Sequence, residues 1–260
     1  MIIAIDIGNT TTTVGINEAD KFTGFYRIAQ TSGETGISAT SDDIGLKIFQ
    51  LVRIHHNAEI PVEGIAICSV VPDLTQKYIE MAKKYFNIDA WILDYKTELG
   101  LKIEVDQPEQ VGPDRLANAI AAKTLYGCPS IVIDFGTATT FDVINADGNY
   151  IGGAIAPGVS TSSAELFRRA SRLFPIQLKK PEKCIGSNST EAMRAGIFYG
   201  TLGQIDYIAE KTIEELGEGD VKIIATGGFA EKFAPHSTRI QKVDPTLTLQ
   251  GILLAYQLNK

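Results

Sequence analysis

One local pattern occurs twice in the chain, and this repeat restricts the possible folds more than any other feature. Residues 1–16 read MIIAIDIGNTTTTVGI, and residues 130–144 read SIVIDFGTATTFDVI. Each copy is an apolar run that ends in an aspartate, followed by glycine and threonines and then by a second apolar run, with Asp134 in the place of Asp6. Because β-branched residues fill both arms, each copy predicts two strands joined by a tight turn.

The predicted turn combines a carboxylate with hydrogen-bond donors. Gly8 allows a close approach of the backbone to a ligand, and the N–H and hydroxyl groups of the turn can donate to phosphate oxygens. Asp6, at the end of a buried strand, can hold a cation beside those oxygens. One such copy favours an ordinary hairpin whose aspartate and threonines satisfy the turn itself. Two copies at a domain-sized separation favour a metal–phosphate site instead.

The length and charge of the chain narrow the class of protein. With 260 residues, of which 44% are apolar, the chain can bury a large core, and the internal repeat favours two domains over one. The net charge of −7 argues against nucleic-acid binding, which normally requires a basic face. An acidic protein that binds anionic ligands needs cations close to them, so we expect a metal dependence.

We expect a soluble, cytoplasmic protein with no membrane partner. Cys68, Cys128 and Cys184 lie far apart and form no C-x-x-C pair, which is typical of thiols in a reducing compartment. The N-terminus has no basic stretch or cleavage site, and Asp6 interrupts its apolar run, which argues against a signal peptide. The sequence contains no stretch of about 18 apolar residues to span a membrane.

The other apolar patterns predict alternating strands and helices, and therefore an α/β fold. The first half predicts the order β-β-β-α-β-α-β, which fits a ribonuclease-H-like domain. After the first hairpin, its strands are Phe22–Ala29, Gly64–Val71 and Trp91–Asp94, its helices are Asp42–Asn57 and Leu74–Phe86, and residues 30–41 form a polar loop. The second half predicts helices Leu116–Tyr126, Val159–Leu173, Thr190–Glu215 and Leu247–Leu258, with a strand at Val221–Gly228.

Five motifs together resemble a known enzyme family. The paired Asp-x-Gly-x-Thr turns resemble the phosphate loops of the superfamily that contains acetate kinase, sugar kinases, Hsp70 and actin. The type III pantothenate kinases are similar to this chain in five motifs and in their order: IDIGNTTT at the N-terminus, VGPDR at 111–115, DFGTATTFDVI at 134–144, GGAIAPG at 152–158 and ATGG at 225–228. The chain has no G-x-x-x-x-G-K-[ST] or G-x-G-x-x-G motif, so neither a P-loop enzyme nor a dinucleotide-binding protein is indicated.

The resemblance implies two ribonuclease-H-like domains of the actin-like ATPase type, with mixed sheets flanked by helices and ATP in the cleft. We place these domains at residues 1–113 and 114–260. The implied function is ATP-dependent phosphorylation of pantothenate to 4′-phosphopantothenate, the first step of coenzyme A biosynthesis. The open alternatives are a kinase of another small alcohol on the same fold and a non-catalytic, ATP-binding accessory or regulatory protein.

The resemblance also implies roles for individual residues. Asp6 is expected to hold Mg²⁺ through the phosphates of ATP, and Asp134 is expected to bind a monovalent cation, K⁺ or NH₄⁺. The expected ATP contacts are Asp6, Ile7, Gly8, Asn9, Thr10, Thr11, Thr12, Thr13 and Thr137. The expected pantothenate contacts are Val105, Gly112, Pro113, Asp114, Arg115 and Ser189.

Asp114 has two interpretations. From the residues alone, Gly112 to Arg115 is an ordinary helix start, with proline and an acidic residue in the first turn. The resemblance makes Asp114 the catalytic carboxylate, which orients the attacking hydroxyl and accepts its proton. Because a helix N-terminus favours the charged carboxylate, we expect its basicity to be lowered and its role to be more positioning than deprotonation.

The sequence departs from the family pattern at two substrate positions. Val105 stands where the family usually has an aromatic residue, which removes one expected contact. Ser189 stands where the family has a threonine, which keeps the hydroxyl. Ser189 or Thr190 is also a candidate N-cap of the helix that follows.

We expect the second half to form a homodimer. Its helices carry more apolar surface than one small sheet can bury. Such a surface is most often buried against a second copy of the chain related by a twofold axis. The resemblance places Ser189 and either Arg168 or Arg169 near that interface. The alternatives are a monomer whose helices pack wholly on their own sheet and, for the arginines, a solvated cluster.

Overall fold

The computed structural model describes residues 1–19, 21–30, 39–56, 61–217 and 219–260, and it divides into two compact units. The first unit contains Met1–Ala121 and Thr246–Lys260, and the second contains Ala122–Pro245. Each is built around one five-stranded mixed sheet with helices, so the predicted α/β class is confirmed. Residues 31–38 of the predicted polar loop and Asn57 of the predicted first helix lie outside the described residues.

The first unit follows the predicted order of strands and helices. Its elements are β1 (Ile2–Ile7), β2 (Thr11–Glu18), β3 (Lys21–Ala29), α1 (Ser41–His56), β4 (Gly64–Ser69), α2 (Pro72–Phe86), β5 (Trp91–Ile92), a 3₁₀ turn (Pro108–Gln110), the start of α3 (Pro113–Tyr126) and the C-terminal helix, here numbered α7 (Leu247–Leu258). The sheet order is β3-β2-β1-β4-β5. β2 is antiparallel to β1 and β3, and β4 is parallel to β1 and β5.

Helices cover both faces of the first sheet. Successive side chains of a strand point to opposite faces. Ile3, Ile5 and Ile7 therefore pack with residues of α1 and α2, while Ala4 packs on the other face with residues of α3 and α7. Because both faces are apolar, the polar groups of β1 are confined to the end of the strand and the turn that follows it.

The second unit repeats this arrangement. Its elements are β6 (Ser130–Phe135), β7 (Ala138–Ile144), β8 (Tyr150–Pro157), α4 (Val159–Arg169), α5 (Ser189–Leu216), β9 (Lys222–Gly227), α6 (Ala230–Phe233), a 3₁₀ turn (Ala234–His236) and β10 (Lys242–Val243). The sheet order is β10-β9-β6-β7-β8, with β7 antiparallel to both neighbours and β9 parallel to β6 and β10. β6 and β7 thus occupy the places of β1 and β2, and both predicted hairpins are confirmed.

Three phenylalanines join the layers of the second unit. The Phe198 ring of α5 lies 5.2 Å from the Phe233 ring, which stacks at 5.7 Å on Phe135 at the end of β6. All three side chains are buried. This packing holds the end of β6, and the aspartate beside it, against two helices.

The unit boundaries do not coincide with the predicted division at residue 113. Ala117 and Ile120 of α3 belong to the same apolar cluster as Ile252 and Ala255 of α7. A Cβ added to Gly251 would lie 1.8 Å from the Ala117 carbonyl oxygen, so the two helices touch through their backbones. The C-terminal helix therefore belongs to the first unit, because its apolar residues are buried there. None of the helices in the described ranges is long and apolar enough to cross a membrane.

Candidate active site

The turn after β1 contains the first set of predicted phosphate contacts. Gly8 N–H donates to the Thr11 carbonyl oxygen at 3.1 Å, which closes the turn, and Asn9 and Thr10 are exposed at its tip. Asp6 is half-buried and lies opposite Thr13 in the β1–β2 pairing. The Asp6 carboxylate and the Thr13 hydroxyl therefore belong to the same face of the sheet.

Ile7 and Thr12, two of the predicted ATP contacts, direct their side chains to the other face. Ile7 is fully buried in the core. The Thr12 hydroxyl is also buried, accepts a hydrogen bond from Gln30 Nε2 at 3.0 Å and is hydrogen-bonded to Tyr78. A ligand at this turn would meet only the backbone groups of these two residues.

Asp6 belongs to a group of three side chains from separate elements. In the parallel pairing of β1 with β4, Asp6 lies beside Cys68, whose side chain is fully buried. Burial raises the pKa of the Cys68 thiol well above its usual range, and the charges of Asp6 and Asp114 and a hydrogen bond with Asp6 raise it further. β1, β4 and α3 therefore bring two carboxylates and a thiol together in the first unit.

Asp114 stands in the first turn of α3, as predicted. Arg115 N–H donates to Asp114 Oδ1 at 2.9 Å. A Cβ added to Gly112 would lie 2.4 Å from the same oxygen, so the absence of a side chain there makes room for the carboxylate. Gly112 and Arg115 thus fix the position of this group.

The pKa of Asp114 is raised rather than lowered. Burial raises it, and the hydrogen bond from Arg115 N–H and the charge of Arg115 only partly oppose that effect. The expectation that the helix start lowers the basicity of Asp114 is therefore wrong in its net direction, because desolvation of the carboxylate outweighs the helix terminus. A carboxylate with a raised pKa is a better proton acceptor.

The second turn repeats the chemistry of the first. Asp134 is half-buried near the end of β6, and Gly136 and Thr137 follow it as exposed residues. Gly227, at the end of β9, has a φ of +88°, and a Cβ added to it would lie 2.5 Å from Asp134 Oδ1. The backbone of β9 therefore lies directly against the carboxylate, in a conformation that favours glycine.

The remaining predicted substrate contacts are distributed over both units. Val105, Pro113 and Arg115 are half-buried in the first unit, and Ser189 is exposed at the start of α5 in the second. Asn188 is the N-cap of α5, since its side chain accepts a hydrogen bond from Glu191 N–H at 3.0 Å. The alternative that Ser189 or Thr190 is the N-cap is therefore wrong.

The arginines at the end of α4 have a partner on their own helix. Arg168 Nε donates to Glu165 Oε2 at 2.8 Å, and Arg169 forms an ion pair with the same glutamate. All three side chains are largely exposed. This geometry fits the solvated cluster that the sequence left open as an alternative.

Cys68 is the site residue that the sequence analysis missed. The sequence indicated only a thiol in a reducing compartment, because nothing in it sets the register of β4 against β1. The only available signal was that both segments read as buried strands that end in polar residues.

The donor set in the first unit fits a magnesium ion that is bound together with phosphate. The described parts of the chain hold no group of three or more His, Cys, Asp or Glu residues that could bind a metal alone. Asp6 supplies hard carboxylate oxygens, while Asp114 remains available to accept a proton. Mg²⁺ is usually held by one or two carboxylates and the phosphates of its substrate rather than by a complete protein cage.

Comparison with known proteins gives a match along the whole chain. The family model described as type III pantothenate kinase matches residues 2–211. Type III pantothenate kinases of Agathobacter rectalis and Halalkalibacterium halodurans are 37% and 39% identical to the chain; the matches cover 99% and 100% of the chain, and 97% and 100% of the relatives. A Campylobacter jejuni crystal structure, described as a Baf family transcriptional activator, has a TM-score of 0.58 at 19% identity and covers 99% of this chain and 98% of that one. This last likeness concerns the fold alone.

Proposed function

The chain belongs to the type III pantothenate kinase family, and we propose that the two turns and Asp114 perform its reaction. That reaction is the ATP-dependent phosphorylation of pantothenate in coenzyme A biosynthesis. The family implies ATP and pantothenate as substrates and a divalent metal ion as cofactor. The observation that supports the assignment of residues is the grouping of Asp6, Cys68 and Asp114 at the end of the first sheet.

Asp114 is the proton acceptor in this proposal. The primary hydroxyl of pantothenate attacks the γ-phosphorus of ATP, the bond from that phosphorus to the β-phosphate bridging oxygen breaks, and ADP leaves. The hydroxyl proton passes to Asp114, which also orients the attacking oxygen. The raised pKa of Asp114, caused by burial, supports this role.

The first turn binds the phosphate end of ATP. Asp6 would hold the Mg²⁺ ion that accompanies the phosphates of ATP. This ion would neutralise charge that develops on the phosphoryl oxygens. Backbone N–H groups between Ile7 and Thr13, together with the hydroxyl groups on the Asp6 face, donate to phosphate oxygens. The half-burial of Asp6 supports the role, because a desolvated carboxylate gains most from a cation.

The second turn holds a monovalent cation and a further part of ATP. Asp134 binds K⁺ or NH₄⁺, and Thr137 contacts ATP. The half-buried Asp134 carboxylate, packed against the backbone of Gly227, offers oxygen ligands of the kind that a hard cation prefers. The exposed Thr137 side chain is accessible to a ligand.

Pantothenate lies against the segment that opens α3. Asp114 is flanked in the chain by Gly112, Pro113 and Arg115. The positively charged guanidinium group of Arg115 is suited to the carboxylate of the substrate. Val105 and Ser189 complete the proposed set. Val105 contributes apolar contact only, and Ser189 contributes an exposed hydroxyl.

The active form in this proposal is a homodimer formed through the second unit. β8 is the edge strand of its sheet, and it exposes Ile151 and Ile155, the latter with 66% of its surface accessible. Leu166 of α4 is also exposed. Exposed apolar residues on an edge strand favour a protein partner, and a second copy of the chain is the partner that symmetry most often supplies.

We also place the protein in the cytoplasm. Cys68, Cys128 and Cys184 form no disulfide. Free cysteines are typical of proteins in reducing compartments.

A coupled assay of ADP formation tests the activity. The purified protein, with MgATP and K⁺ present, should release ADP only when pantothenate is added, and mass spectrometry should detect the phosphorylated product. ADP release that depends on a different small alcohol would move the assignment to that substrate. ADP release that no alcohol stimulates, with no product, would contradict a kinase function.

A further inference from the structure

The loop that carries Thr137 is held by the start of α4. We propose that Gly158 and Thr161 are positioning residues that fix this loop in its ATP-binding conformation. The inference rests on the proposed contact between Thr137 and ATP. Neither residue touches ATP in this proposal; both act through the backbone of the loop.

The first contact is a hydrogen bond from a side chain to the backbone. Thr161, in the first turn of α4, donates its hydroxyl to the Thr137 carbonyl oxygen at 2.7 Å. Thr137 lies in the short connection between β6 and β7, where residues 136 and 137 belong to neither strand. The bond therefore ties the most exposed part of the turn to a regular helix.

The second contact is a close approach of two backbone segments. Gly158 precedes α4 with a φ of −67°, which any residue can adopt. Its Cα is nevertheless packed against the loop, since an added Cβ would lie 2.2 Å from the Thr137 carbonyl oxygen and 2.7 Å from that of Gly136. A side chain at residue 158 would require backbone atoms to move. Glycine is therefore needed here for space and not for its conformational freedom.

These contacts determine how the loop presents its polar groups. The carbonyl groups of Gly136 and Thr137 lie against the start of α4, where the helix N-terminus stabilises partial negative charge. In a trans peptide the N–H points opposite to the C=O. The peptide between Gly136 and Thr137 therefore directs its N–H away from α4. A loop held in this way has its donor oriented before ATP arrives, which lowers the entropy cost of binding.

The test compares substitutions at adjacent positions in the same helical turn. Thr161→Val removes the hydroxyl and keeps the shape of the side chain, whereas Thr161→Ser keeps the hydroxyl. Ser160→Val is the matched control, because Ser160 is also exposed in the first turn of α4. For each purified protein, one measures the Kd of MgATP by calorimetry, the KM of ATP and of pantothenate, kcat and the thermal midpoint of unfolding.

Thr161→Val should weaken MgATP binding by about three- to tenfold, the effect of losing one ordinary hydrogen bond. The KM of ATP should rise by a similar factor, while kcat at saturating ATP and the KM of pantothenate stay within about twofold of the wild-type values. Thr161→Ser and Ser160→Val should bind MgATP as the wild-type protein does. Wild-type ATP affinity in Thr161→Val, or equal losses in Thr161→Val and Ser160→Val, would overturn the inference.

Gly158→Ala provides a second, larger perturbation. Its new methyl group must displace the loop backbone, so MgATP affinity should fall further than in Thr161→Val. If this variant does not fold, Thr161→Val still decides the question.

Failure of the proposed function would give a different result. In that case the wild-type protein would show no pantothenate-dependent ADP release. The calorimetric Kd of MgATP would still report whether Thr161 positions the loop.

Discussion

Replacing Asp114 with asparagine should remove most of the activity and, at neutral pH, increase the stability of the fold. Asparagine has the size of aspartate and keeps an oxygen that can accept the Arg115 N–H bond, which measures 2.9 Å in the native protein. It also fits beside Gly112, where the native carboxylate already fits. The substitution therefore changes the charge and the proton affinity of the group and leaves its packing intact.

The loss of activity follows from the loss of the proton acceptor. An amide cannot take the hydroxyl proton, and general-base contributions of this kind are worth about 10²- to 10⁴-fold in kcat. This range corresponds to about 3–5.5 kcal/mol in the activation barrier. The KM of ATP should change little, because the proposed ATP contacts are on the two turns.

The gain in stability follows from the pKa of Asp114, which burial raises above its ordinary value of 3.8. Between 3.8 and the raised pKa, the folded protein binds more protons at this site than the unfolded chain. The unfolding free energy therefore falls as the pH rises through that window. Above the raised pKa, the loss of stability caused by the buried charge is complete. Asparagine mimics the neutral carboxyl group and avoids this cost. A rise of one in the pKa of Asp114 corresponds to about 1.4 kcal/mol of unfolding free energy.

The stability assay is thermal unfolding of both proteins between pH 3 and pH 8. Asp114→Asn should have the higher midpoint at pH 7, by about 2–4 °C per kcal/mol, and the difference should shrink as the pH falls towards 3.8. Asp73→Asn is the matched control, because Asp73 also follows a proline in the first turn of a helix but is exposed. There the loss of a favourable charge at the helix start should lower stability by about 0.3–1 kcal/mol.

Near-normal turnover of folded Asp114→Asn would refute the catalytic role, and an unchanged or lower midpoint at pH 7 would refute the desolvation argument.

Three further predictions test other parts of the structure. With magnesium constant, activity should depend on K⁺ or NH₄⁺ and be weak in Na⁺ alone, and equal rates in all three salts would argue against Asp134 as a cation ligand. Light scattering at micromolar concentration should give twice the 28.2 kDa of one chain, and an active species of one-chain mass would exclude an obligate dimer. Gly251→Ala should destabilise the first unit by about 1–3 kcal/mol in chemical denaturation, because the added Cβ would lie 1.8 Å from the Ala117 carbonyl oxygen. Gly203→Ala, at an open helical position, should instead stabilise by up to about 1 kcal/mol, and equal effects of the two glycine substitutions would contradict the close packing of α3 and α7.

Much of the fold was predictable because its signals are local. The two hairpins follow from apolar runs that end in Asp6 and Asp134, since their β-branched residues and the glycine turns that follow favour strands. The helical spacing in residues 247–258 likewise predicted α7 with the observed bounds. The phosphate turns were recognisable for the same reason, since their aspartate, glycine and threonines are neighbours in the chain.

The candidate site was predictable only in part, because its remaining properties depend on residues that are distant in the chain. Cys68 lies beside Asp6 only because β4 pairs with β1 in one register, and Thr161 meets Thr137 only after β7 and β8 have returned the chain to that turn. The sequence alone determined that Asp114 starts a helix and carries a charge. The tertiary structure decided its proton affinity, because burial by distant segments raises the pKa more than the local hydrogen bond and charge of Arg115 lower it.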